Sequence, residues 1–163
     1  MAPENVNAVI AASAALSGVL ISLIGNWLLS SIKQQHDHAA LLRSKYEELA
    51  FLVVDSVGDY QKILVAESNH QLLRNSQPVS AQKVVALAQL YFPELKDAAN
   101  SYLSAIVHFR NACAVVGTGK KGADWAESLV ASPKVVDAQL ALEKSKHILE
   151  SQIQAFAKTY TLS

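Results

Sequence analysis

From residue 5 to residue 32 the chain carries no Asp, Glu, Lys or Arg, a gap of 28 residues between Glu4 and Lys33. Its apolar part runs over residues 8–29. A helix of that length rises about 33 Å at about 1.5 Å per residue, close to the ~30 Å hydrocarbon core of a bilayer. The pattern predicts a transmembrane helix. A buried helix in a soluble oligomer would seldom stay apolar or small for so long. A cleaved secretory leader fits less well, because the leading residues hold an acid in place of Lys or Arg and no cleavage signal follows. Trp27 suits the interface at the C-terminal end of the span.

Orientation follows from the flanking basic residues. None precedes the span, whereas Lys33, Arg43 and Lys45 follow closely. The positive-inside rule then places the N-terminus outside and the remainder in the cytoplasm of a bacterial inner-membrane protein. The expected organisation is a short outer tail and transmembrane helix over 1–32 and a cytoplasmic domain over 33–163. Cys113 is the single cysteine, compatible with a reducing compartment.

Within the span, Ala11, Ala15, Gly18, Ser22 and Gly25 recur at spacings of 4, 3, 4 and 3, on one side of a helix. Small residues allow helix backbones to approach closely in lipid, so this seam is expected to drive self-association, with the bilayer and further copies of the chain as partners. A second row, Ala14, Gly18, Ser22, Asn26 and Ser30, grows more polar toward the cytoplasmic end. The amide of Asn26 needs a partner helix or water, since lipid offers neither. Small residues are also ordinary in spanning helices, which is the plain alternative to a seam.

Charged residues make up 17% of the 163, and 14 basic side chains balance 14 acidic ones. Such a chain has no bulk field to gather nucleic acid, so none is expected as a partner. Residues 33–163 hold all 14 basic and 13 of the 14 acidic residues, a net of +1.

That domain reads as all-α, an antiparallel bundle of about four helices. Leu42, Tyr46, Leu49, Val53, Ser56, Tyr60 and Ile63 form one core stripe, and no breaker separates it from the span. Residues 68–80 look like a polar loop. Ser80 is expected to cap a second helix over about 81–91, with Val79 and Val84 as a hydrophobic staple. Pro93 suits the first turn of a third helix, carrying Leu95, Ala98, Tyr102, Ile106, Phe109 and Cys113 and ended by Gly117. Asp124 and Glu127 suggest a capping box for a short helix with Trp125 and Leu129. Ser132-Pro133 opens the last helix, whose stripe is Val135, Leu142, Leu149, Ile153, Phe156 and Tyr160.

The span, Arg43-Ser-Lys-Tyr-Glu-Glu-Leu49, Leu90-Tyr-Phe-Pro-Glu-Leu95 with Ala98 and Tyr102, and Ser132-Pro-Lys-Val-Val136 together carry a resemblance. The layout resembles bacterial single-span proteins with a short cytoplasmic helical bundle. That resemblance implies an architecture and no shared activity. More loosely, it is similar to membrane accessory proteins of RNA-targeting CRISPR systems, which join one span to a small HEPN-like helical domain and assemble as pores. Active HEPN domains place a His a few residues after an Arg. Arg43, Arg74 and Arg110 have no His four to seven residues later, so no nuclease reading carries over.

Chemistry is sparse. His36 and His38 lie two apart around Asp37 and would point to different sides of a helix, a poor metal grip. Asp55 and Asp59 share a face four residues apart, but a solvated face explains them better than acid–base work. His108 and His147 border apolar stripes as hydrogen-bonded boundary residues. GTGKKG at 117–122 lacks the spacing, the Ser/Thr and the preceding strand of a phosphate loop. Cys113, within an apolar stripe, is expected to be inert. No catalytic, cofactor-binding or metal residue is therefore expected. The leading expectation is a self-associating, non-enzymatic, membrane-anchored scaffold or docking module with a protein partner on its bundle. The rivals are an oligomeric pore-forming or membrane-disrupting effector, in phage defence for example, and a soluble helical oligomer.

Overall fold

A computed structural model describes residues 3–161, with side chains described throughout except at 3–21, 23–25, 75 and 161. All regular elements among them are helices: α1 (Pro3–Leu64), α2 (Asn69–Asn75), α3 (Val79–Tyr91), α4 (Lys96–Val116), α5 (Gly122–Val130) and α6 (Pro133–Thr161), with a 3₁₀ turn at Pro93–Leu95. The chain divides into two compact units, Met1–Leu41 and Leu42–Ser163.

The first unit is helical throughout its described residues. Trp27, Leu28, Leu29 and Ile32 are all exposed on it, Trp27 by 70%. Among the described residues no helix is long and apolar enough to cross a membrane. The expected span, 8–29, lies for the most part outside the described side chains, so the structure gives it no support.

The second unit is the expected helical bundle. Its core is the set of stripes read from the periodicity. Leu49 and Val53 from α1, Val84 from α3, Tyr102, Ile106 and Phe109 from α4, and Leu142 and Leu149 from α6 are buried. The contacts fix the helix directions. Tyr46, near the start of the second unit's part of α1, stacks on Tyr160 with ring centroids 5.2 Å apart and donates a hydrogen bond to the Ile153 carbonyl, both late in α6. Tyr46 also meets Phe92, just past the end of α3. Farther along α1, Ser56 meets Tyr102 of α4 and Asp59 meets Ser80 at the start of α3. Thus α1 and α4 run one way, α3 and α6 the other, so each long helix is antiparallel to the next.

Three local expectations need correction. Residues 68–80 are not all loop: Asn69–Asn75 form α2. The Ser68 hydroxyl accepts from the Gln71 amide at 3.3 Å, and burial of Leu72 anchors the turn. Ser80 does not cap α3. That helix starts at Val79 behind Pro78, which offers no side-chain acceptor, and Val79 is exposed, so the staple with Val84 is not made. Asp124 is not an N-cap either, because Lys121 occupies that place and Asp124 lies inside the first turn of α5. There the Gly122 amide donates to the Glu67 carbonyl at 2.9 Å, and Ser68 pairs with Lys121. The pairing of the two loops draws the start of α5 toward Gly122, ahead of the expected box.

Candidate functional site

Of the residues expected to drive self-association, Ala11, Ala15, Gly18 and Gly25 lie outside the described side chains. Ser22 and Asn26 lie within them, and both are exposed. His36, Asp37 and His38 are exposed on α1. Among the described residues no group of three His, Cys, Asp or Glu could hold a metal ion.

The sequence pattern missed the buried polar contacts between α1, α3 and α4. Asp59, expected on a solvated face, is only 4% exposed. Its Oδ2 accepts the Ser80 amide of α3 at 2.8 Å, and its Oδ1 accepts from Lys62 Nζ at 3.3 Å. Asp55 stays exposed, yet its Oδ2 accepts the Ser80 hydroxyl at 2.6 Å. The N-terminus of α3 has no acid in its first turn and no side-chain cap of its own. Two carboxylates from another helix satisfy it instead, as both capping and the helix dipole favour. A weak sign was present in the sequence. Asp59 stands three residues after Ser56 and four before Ile63, on the flank of the core stripe, and a helix opening Pro-Val-Ser needs an outside acceptor.

One turn earlier, the Ser56 hydroxyl lies 2.7 Å from that of Tyr102. Burial pushes the Tyr102 phenol from its ordinary 10.0 up to about 12. Each residue of this set bonds to another across or along the helices, which suits holding them together.

The other candidates offer less chemistry. Cys113 is buried in the core, and desolvation raises its thiol from 9.0 to about 11, so the thiolate that reacts is scarce at neutral pH. His108 and His147 are exposed rather than set at the core boundary. His108 lines a groove of about 420 Å³ between α4 and α6 with Asn111, Lys134 and Asp137. In the 117–122 turn, Gly119 and Gly122 take positive φ values of 77° and 56°, a spacer geometry between α4 and α5.

No family model, curated protein or solved structure matches the chain. Large apolar side chains are exposed on every helix, among them Trp27, Leu28, Leu29 and Ile32 in the first unit and Phe51, Val54, Leu90, Val115 and Val130 in the second.

Proposed function

We propose that the chain is a single-pass protein of a bacterial inner membrane, with its N-terminus outside and the 33–163 bundle in the cytoplasm. The span self-associates, and the bundle serves as an anchored, non-enzymatic scaffold or partner-docking module. One observation carries this reading: 28 residues without Asp, Glu, Lys or Arg, with Lys33, Arg43 and Lys45 on one side only. The exposure of Trp27, Leu28, Leu29 and Ile32 supports it, since these side chains suit an interfacial or lipid setting.

Two measurements test it. The chain should stay in the membrane pellet after alkaline carbonate extraction; release into the supernatant would refute the anchor. Gly18→Ile leaves the stretch at least as apolar but puts a β-branched side chain into the small-residue seam. Membrane helix contacts are on the order of 1 kcal/mol each, so assembly should weaken by roughly one or two powers of ten. Leu20→Ile, off the seam, should change little. If both variants keep the wild-type oligomer, the seam is wrong.

A second reading, a pore, is favoured by the row Ser22, Asn26 and Ser30, all exposed. In a ring of spans that row would face water. Overexpression that depolarises cells, relieved by Asn26→Leu, would favour the pore over the scaffold.

A further inference from the structure

The buried stripe of α1 faces the bundle core, and on the opposite side of the same helix runs a second stripe, Phe51, Val54, Gly58 and Gln61, continued by Val65 just past the helix end, at spacings of 3, 4, 3 and 4. Phe51, Val54 and Val65 are 69%, 66% and 71% exposed. Gly58 is the informative member. Glycine inside a helix is a poor choice. Here its backbone is not left-handed, and a Cβ added to it would meet nothing within 4 Å. Nothing within the chain calls for a glycine at this place. A missing side chain between exposed Val54 and Val65 is what a close-approaching second helix requires.

The charges indicate which helix. With Phe51, Gly58 and Val65 at one seam position of a heptad and Val54 and Gln61 at the other, Arg43 and Glu48 fall on its two flanks five residues apart. In a parallel pair those flanks face each other, so Arg43 of each copy meets Glu48 of the other. Both side chains are exposed, and each is now paired only within its own helix, Arg43 with Glu47 at 3.2 Å and Lys45 with Glu48 at 2.7 Å. Glu47 itself lies at a seam position and shares the Arg43 guanidinium with Glu48 of the other copy. The stripe is one helix face, too small for a standard interface of about 800 Å² per partner, so it needs the high local concentration that a shared membrane supplies.

We infer that this outer face of α1 is the contact for a second, parallel copy of the chain, with Gly58 against Gly58. The parallel direction rests on the anchored reading above, since two chains in one membrane point the same way.

Oxidative cross-linking of the full chain in its native membranes tests it. Val54→Cys and Gln61→Cys should each give disulfide dimers. Gln82→Cys on α3 and Leu140→Cys on α6 should not, and the wild-type chain with its buried Cys113 is the blank. Adding Gly58→Leu should cut the Val54→Cys cross-link by roughly tenfold, as a blocked close contact would, while helicity is kept. No dimer at either α1 position, or equal cross-linking at the control positions, in membranes whose chain resists carbonate would overturn the inference and leave the anchor standing. Release of the chain by carbonate would instead overturn the anchor, and with it the parallel direction.

Discussion

Gly117 closes α4 directly under the indole of Trp125, where an added Cβ would lie inside the ring. Its φ of −85° is one that any residue can adopt, so space rather than backbone freedom demands glycine. Gly58 stands in the opposite situation, in mid-helix with open space where a Cβ would go. In a dilute soluble fragment of residues 38–163, Gly117→Ala should therefore cost about 2 kcal/mol through overpacking. Gly58→Ala should stabilise the same fragment by about 0.5–1 kcal/mol. Urea unfolding of the two variants reads both signs, and equal effects would remove the argument for either glycine. The buried phenols give a second residue-scale expectation. Tyr46 and Tyr102 are both raised from 10.0 to about 12 by burial, and Cys113 from 9.0 to about 11. Each neutral form is favoured in the folded state. Their contribution to stability is thus complete below about pH 9 and is lost as pH climbs toward 12. Phenolate absorbance of these tyrosines should rise together with loss of helicity. Ionisation well below the unfolding transition would contradict their burial.

At the scale of elements, α3 depends on α1 for its first turn. Asp59→Ala leaves the buried Ser80 amide without its acceptor and should cost about 1–3 kcal/mol. Asp59→Asn keeps an acceptor oxygen and should recover part of the loss, whereas Asp55→Ala, at an exposed position, should cost less. Amide exchange at Ser80 should speed up in Asp59→Ala before exchange in α4 does. An exchange rate unchanged at Ser80 would show that the contact does not hold the helix start. This dependence also explains where sequence reading stopped. Breaks at Phe92-Pro93, Gly117 and Ser132-Pro133 are local chemistry and were legible. The start of α3, the α2 turn and the opening of α5 are set by Asp59, by burial of Leu72 and by the Glu67–Gly122 bond, all contacts between segments distant in sequence.

At the scale of the whole molecule, the period of the apolar residues was enough for an all-α bundle. The stripes through Tyr46, Tyr102 and Leu149 each turned out buried, because a helix that must hide one face announces that face. The outer stripe of α1 was harder to see: Phe51 and Val65 look like ordinary surface residues until Gly58 is found to have no reason inside the chain. The central claim remains the anchor and its direction. The most direct measurement is thiol accessibility of Lys120→Cys, an exposed position in the turn between α4 and α5, with the wild-type chain and its buried Cys113 as the blank. In intact spheroplasts an impermeant maleimide should leave the new thiol unmodified, and lysis should make it react fully. Labelling before lysis, with the chain still in the membrane pellet, would contradict the account.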